Sequence, residues 1–223
     1  MKSGNSTLMY RLKTLRPDQV IFPASMWGLF AVIVVILYGM DSAYQAARAF
    51  VGIVLPMIAG ILSAYAVLED PALELQFSMP RPAWRMLAER LGLIFAVTAV
   101  CALTYQVYLA LIGLSLAPLG GAAGRQLAWL APTLNLMGLG CLAGLAAAKP
   151  VPGAMAVGLV WFSQLIAYGW FLHHPVARYV YLYMGITHPE LPELRASQLV
   201  ISLLGMIFLT GAWALVRQQE RYL

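Results

Sequence analysis

Charge is what this sequence has least of. Lys, Arg, Asp and Glu together make up 10% of its 223 residues, against about a quarter in soluble globular proteins. That scarcity excludes an ordinary water-soluble domain. Cysteine and histidine are also rare, at two and three residues. Two cysteines cannot build a disulfide framework, and Cys101 and Cys141 both fall inside apolar runs, where they read as small packing residues. His173, His174 and His188 fall on the same side of the membrane. Three histidines are enough for a metal site, but no carboxylate or cysteine joins them at ligand spacing, so they read as interfacial histidines beside tyrosines. Phosphate and hydrolase signatures are missing too. There is no GxxxxGK[ST] loop to cradle ATP, no HExxH pair and no GxSxG elbow.

What the sequence has instead is long hydrophobic runs, with 61% hydrophobic residues overall. A helical span takes about 20 mainly apolar residues. Six stretches qualify, roughly 20–40, 47–68, 91–114, 127–148, 151–172 and 199–216. Hydrocarbon offers no partner to backbone polar groups and no dyad alternation suggests a barrel, so each run is expected to be helical. The expected fold is an all-α polytopic membrane protein, a single domain over residues 1–223 with six transmembrane helices.

Basic residues set the expected orientation. Lys2, Arg11, Lys13, Arg16, Arg81, Arg85, Arg90, Lys149, Arg217 and Arg221 share one side, and Arg48, Arg125, Arg178 and Arg195 the other. The bias predicts both termini in the cytoplasm and an integral protein of the cytoplasmic membrane. The first 19 residues are polar and basic, with no obvious cleavable signal peptide. Within them TLMYRLKTLR, at 7–16, places Leu8, Leu12 and Leu15 on one face and reads as an amphipathic helix lying in the interface. LAPLGGAAGR, at 116–125, reads as an outer turn, and AKPVPG, at 148–153, as a tight inner turn. The outer segment 173–198 is longer than a turn requires. It reads as one or two short helices in the outer leaflet, with Tyr179, Tyr181 and Tyr183 suited to the headgroup zone.

Apart from Arg48, at the very start of the second, the expected spans contain no Asp, Glu, Lys, Arg or His. Intramembrane ionisable residues mark ion and proton pathways, so their absence argues against an ion-coupled transporter. Pro56 and Pro132 fall inside spans and allow kinks. Gly140 and Gly144 form a GxxxG pair, which reads first as packing within the bundle and second as a dimer contact. Ser63, Tyr105, Gln106, Asn135, Ser163 and Gln164 are polar positions within spans. They read first as hydrogen-bond partners of neighbouring helices, and Gln106, Asn135 and Gln164 are also candidates for lining a substrate path.

One segment interrupts the apolar pattern. Residues 69–91, EDPALELQFSMPRPAWRMLAERL, hold four carboxylates, three arginines and three prolines. Asp70 and Pro71 suit a helix start. The residues before Pro80 and Pro82 disfavour helix, so a short helix, an elbow at SMPRP and a second helix running into span three are expected. Leu73, Leu75, Phe77 and Met79 alternate with polar residues, a strand-like pattern. Wound as a helix, they make it apolar on two faces, one for the membrane domain and one for a partner.

Glu69, Glu74-Leu75, Met79-Pro80, Arg81, Arg85 and Arg90-Leu91 resemble the cytoplasmic loop of type-two ABC export permeases. The motif covers about 22 residues, and the layout of six spans, N-terminal interfacial helix and long outer segment is similar over the whole chain. The chain departs from the pattern at Asp70-Pro71-Ala72, where many members carry a Gly-Thr/Ser start. The resemblance implies the membrane-spanning subunit of an ATP-driven exporter, paired with a second copy or a related permease. It would carry no cofactor of its own, since ATP and Mg would sit on a separate ATP-binding subunit. Segment 69–90 would be the coupling loop. Glu69, Asp70, Leu73, Glu74, Leu75, Phe77, Met79, Pro80, Arg81 and Arg85 would dock the ATPase, and 173–198 would act as an outer gate. The apolar spans favour lipid-like, amphipathic or hydrophobic cargo. Two other readings stand beside it: a non-transporting membrane scaffold, and an intramembrane enzyme acting on lipids.

Overall fold

A computed structural model describes residues 17–66, 83–114, 116, 119 and 121–217. Every regular element among them is helical. Helix α1 is Asp18–Ile36, α2 is Asp41–Tyr65, α3 is Ala83–Leu111 and α4 is Ala122–Ala147. After these come α5 (Pro150–Ile166), α6 (Tyr168–His173), a 3-10 turn (Ala177–Val180), α7 (Met184–Thr187) and α8 (Leu194–Val216). Helices α1, α2, α3, α4 and α8 are long and apolar enough to cross a bilayer, so the chain has the architecture of a polytopic helical membrane protein.

The fifth apolar run differs from expectation. It forms two helices, α5 and α6, separated at Ala167, whose φ of −91° and ψ of 22° leave the helical range. The 17 residues of α5 rise about 25 Å, short of the roughly 30 Å hydrocarbon core. Tyr168 and Trp170 stand exposed just past the break, a placement that suits an interface.

The short connections 37–40 and 148–149 make α1 and α2, and α4 and α5, antiparallel. We call the end where α1 begins proximal and the opposite end distal. The α4–α5 turn is proximal and needs only Ala148 and Lys149. Ala148 adopts a left-handed φ of 52°, and the Ala148 and Lys149 N–H groups return to Leu145 O and Gly144 O, both at 3.1 Å. Those bonds satisfy the last carbonyls of α4 in the Schellman manner, and Pro150 then opens α5 where a missing N–H costs nothing.

Helix α4 is the hub, packed against α2, α5 and α8. Its most apolar stretch is 61% buried, whereas that of α1 is 17% buried. Between helices in lipid, attraction comes from close packing rather than escape from water, so small residues gather where backbones meet. Gly60 of α2, Gly140 of α4 and Gly153 of α5 converge on one crossing. A Cβ at Gly140 would collide with the Gly60 carbonyl, and one at Gly153 would lie 2.6 Å from the Gly140 carbonyl. Gly144 abuts Ala64, so the GxxxG pair serves packing inside the chain. On another face of α4, Gly138 meets Gly205 of α8, where an added Cβ would lie 2.7 Å from its carbonyl.

Proline shapes α2 locally. Pro56 lacks an N–H and its ring crowds the carbonyl four residues back, that of Gly52. The chain answers with a π-turn over Phe50–Val54, where Leu55 N–H returns five residues to Phe50 O. Ile53 O accepts from Trp161 Nε1 of α5 at 3.0 Å. The widened turn thus brings α2 an interhelical bond. Pro132 sits inside α4, which continues through it.

Residues 174–193 form a distal cap over α4, α5 and α8. Tyr181 and Tyr183, expected in the headgroup zone, are instead 1% and 0% exposed and belong to a core with Leu136, Val157 and Ile201. The apolar character of Leu182, Met184 and Ile186 around them drives the segment inward, while Tyr179 stays half-buried. Arg48 Nη1 donates to Ile186 O at 3.0 Å, Ile186 packs onto Gly52, and Arg178 pairs with Glu193 at 2.8 Å. Arg48, at the edge of the expected span 47–68, lies well inside the helix Asp41–Tyr65, which begins earlier, and its guanidinium holds the cap.

Candidate functional site

A concavity lies between the proximal halves of α1 and α2. It is an open-sided groove of about 420 Å³ lined by Asp18, Gln19, Ile21, Phe22, Ser25, Ile61, Leu62 and Tyr65. Its cause is visible in α1. The distal half is fastened by aromatic contacts: Trp27 meets Tyr105 edge-on at 5.9 Å, Phe30 lies 5.3 Å from Phe50, and Tyr108 Oη donates to Ala31 O at 3.0 Å. The proximal half ends in smaller contacts. Pro23 sits within α1 and gives no donor to the Gln19 carbonyl, which favours a bend there. The helices diverge below the aromatic clamp and leave the groove.

The lining is graded. Asp18, Gln19 and Tyr65 form a polar rim at the helix ends. Ile21, Phe22, Ile61 and Leu62 form apolar walls. Ser25, farther in, donates to Phe22 O at 2.9 Å, so its hydroxyl is satisfied locally. Asp18 sits in the first turn of α1, where a carboxylate is favoured by the helix dipole. No lysine, arginine or histidine is among the described lining residues. Sequence reasoning missed the groove, since it depends on how far α1 and α2 separate; Pro23 in an otherwise unbroken apolar run was the available signal.

The three amides proposed to line a path are all engaged. Gln106 pairs with Gln126 of α4 (Nε2 of Gln126 to Oε1 of Gln106, 3.1 Å), and Gln126 Oε1 accepts from Trp129 Nε1 at 2.7 Å. Asn135 Nδ2 donates to Ile201 O of α8 at 3.2 Å. Gln164 accepts from Leu182 N at 2.7 Å and donates to Val180 O at 3.2 Å. Ser63 Oγ lies 2.7 Å from Gly60 O and 2.8 Å from Met137 O, so its single proton serves either carbonyl. These groups tie helix to helix or helix to cap. They are not gathered at one depth around a common space. Beneath the cap, the seam lined by Ala128, Tyr181, Gly185, Ser197 and Gln198 has no space for a water molecule.

Of the docking residues proposed from sequence, Glu69, Asp70, Leu73, Glu74, Leu75, Phe77, Met79, Pro80 and Arg81 lie outside the described residues, as does the N-terminal segment 7–16. Arg85 is exposed at the start of α3, with its guanidinium 5.4 Å from the Trp84 ring. Arg90 Nη1 donates to Ala66 O at 2.6 Å. That bond binds the start of α3 to the end of α2, the two points from which the loop departs.

Among the described residues no group of three or more His, Cys, Asp or Glu side chains could hold a metal ion. His174 Nδ1 accepts from Val176 and Ala177 N–H groups at 3.3 Å, and His188 pairs with Glu190 at 3.2 Å. Cys101 and Cys141 are free thiols. Comparison with known proteins adds no assignment: no protein-family model, no curated protein and no solved structure matches this chain.

Proposed function

We propose that this chain is the membrane-spanning permease subunit of an ATP-driven ABC exporter, carrying no ATP site of its own. In this reading it works with a second permease copy or a related one, and each permease docks an ATP-binding subunit through the loop between α2 and α3. The observation that carries the reading is the mechanical arrangement around that loop. Both of its roots are clamped together by Arg90 and Ala66, and α2 is locked at the glycine crossing to α4 and α5. A push on the loop would be delivered to three helices at once. The packed interior agrees with a cargo path between two permeases rather than through one. The apolar outer surface favours amphipathic or hydrophobic cargo. With α5 and α6 counted together as a sixth crossing, and basic residues concentrated at the proximal end, both termini would be cytoplasmic and the cap would close the outer end.

A scaffold role is the second reading, favoured by the engagement of Gln106, Asn135 and Gln164 in structural bonds. One experiment separates the two. The chain is purified from its native membrane in mild detergent, and the associated ATP-binding subunit is identified by mass spectrometry. The pair is then reconstituted into vesicles. The permease reading expects ATP-dependent movement of an amphipathic probe that needs both chains. It also expects loss of co-purification in a Leu75→Asp, Phe77→Asp variant that still inserts. Association without any ATP-dependent movement would favour the scaffold, and no associated ATPase would sink the permease reading.

A further inference from the structure

We infer that the seam beneath the cap is an internal water-binding site, held by Ser197 and Gln198 and filled when the cap parts from α4 and α8 by about the width of one water molecule. This goes beyond the permease reading, because it concerns the chain with no partner present.

The observation that carries it is a pair of stranded polar groups, adjacent near the start of α8. Ser197 is 0% exposed and Gln198 5% exposed. Among the described residues, Ser197 Oγ and Gln198 Nε2 are both buried with no hydrogen-bond partner. Both residues line the seam, together with Ala128 of α4 and Tyr181, Met184 and Gly185 of the cap. Comparable side chains nearby are not stranded. Ser202, farther along α8, donates its hydroxyl to Gln198 O at 2.7 Å, and Gln164 satisfies two backbone groups of the cap.

The chemistry of the two groups sets the ligand. A polar group buried without a partner opposes the state that buries it. Ser197 Oγ both donates and accepts, and Gln198 Nε2 donates, so one small molecule that does both serves the pair. The closed seam has no space for it: even a Cβ added at Gly185 would lie 3.1 Å from Gln198 Nε2 and 3.2 Å from Ala128 Cα. The closed contact of cap, α4 and α8 therefore excludes the partner that its own polar groups need. A water admitted there would have the two polar partners that a buried water requires. No described lining residue is charged, so the seam has nothing to hold an ion. Entry is short. Glu193 precedes Ser197 by about one helical turn, and its ion pair with Arg178 is partly exposed, so solvent already reaches α8 beside the site. The wall that must move is the four-residue α7 and the bend before it.

The test uses the full-length chain alone in lipid nanodiscs and reads hydrogen exchange over 181–187. If closure strands the two groups, removing them favours closure. Ser197→Ala combined with Gln198→Met, which keeps the side-chain length, should slow that exchange about tenfold and raise the melting temperature. A second measurement follows the water itself, by pulsed hydroxyl-radical labelling in heavy-oxygen water. Met184, in the seam, should take up heavy oxygen well above the level of Met137, although the two are 1% and 3% exposed. The double variant should bring Met184 down to the Met137 level. Faster or unchanged exchange in the double variant would mean that closure strands neither group. Met184 labelling no higher than that of Met137 in the unaltered chain would mean that the seam stays dry. Either result overturns the proposal. Neither measurement involves an ATPase, so the result stands apart from that of the transport experiment.

Discussion

Gln164 receives the Leu182 N–H at 2.7 Å while returning an N–H to Val180 O at 3.2 Å. One side chain, 6% exposed, thereby satisfies two backbone groups of the bend that leads into the buried Tyr181–Tyr183 core. Replacing it with Leu keeps most of the volume and strands both groups. A buried unsatisfied polar group costs about 1–3 kcal/mol, so Gln164→Leu should lower thermal stability in detergent by about 2 kcal/mol or more. Hydrogen exchange should rise selectively over 177–187. Gln164→Glu keeps the acceptor for Leu182 and should lose less.

The glycine crossing gives a sharper contrast. Gly140→Ala places a methyl against the Gly60 backbone, which cannot rotate away, and should cost about 3 kcal/mol, the upper end for overpacked sites. At Gly28 an added methyl meets nothing within 4 Å. Gly28→Ala should be neutral or stabilising by up to about 1 kcal/mol through helix propensity. Comparable melting temperatures for the two variants would contradict the assigned close approach.

Ala148 offers a stabilising change. A left-handed backbone costs an L-residue roughly 1–2 kcal/mol, and Ala148 holds φ at 52° in an exposed turn. Ala148→Gly should raise stability by about 1 kcal/mol, net of the greater unfolded-state freedom of glycine. Ala148→Val should lower it.

Burial governs alkaline behaviour at the cap. Desolvation drives the Tyr183 phenol far above its usual range near 10, and raises Tyr181 as well. A raised phenol pKa keeps the folded state protonated while the unfolded chain titrates near pH 10. The stabilisation is therefore complete below pH 10 and is lost progressively as the pH rises above it, by at most about 1.4 kcal/mol per pH unit for each group. Melting temperature should be flat from neutral pH to about pH 9 and fall beyond, and Tyr183→Phe should flatten that fall. Tyrosinate absorbance appearing at pH 10 from both residues in the folded protein would refute it.

Much of the helical framework was legible because hydropathy and helix length are coupled by the bilayer. The runs at 20–40, 91–114, 127–148 and 199–216 all fall on observed helices, with ends shifted by a few residues. AKPVPG was readable as a turn since Pro150 and Pro152 suit the first turn of a helix, where a missing N–H costs nothing. The role of Gly140 and Gly144 was readable in kind, and the partner Gly60 was not, because nothing in a sequence pairs two helices 80 residues apart. Tyr181 and Tyr183 were misplaced for a related reason: a tyrosine near a span end carries the same local signature whether it faces headgroups or turns inward. Asn135 and Gln164 read correctly as hydrogen-bonding groups, but their backbone partners lie on segments that only the fold brings near. The groove was illegible since it is a space between helices, defined by where α1 and α2 fail to meet.

The crossing of Gly60, Gly140 and Gly153 also has a consequence for biogenesis. The aromatic clamp of α1, α2 and α3 can close once the first 111 residues have emerged into the bilayer. The crossing cannot form until Gly153 has arrived. Until α4 arrives with the Met137 carbonyl, α2 must wait with Ser63 turned toward lipid or toward its own Gly60 carbonyl. The chain therefore matures in two steps, an early three-helix unit and a late lock. Truncation before Gly153 should leave a species that is inserted but protease-sensitive along α2, and one that quality-control proteases would recognise as unfinished.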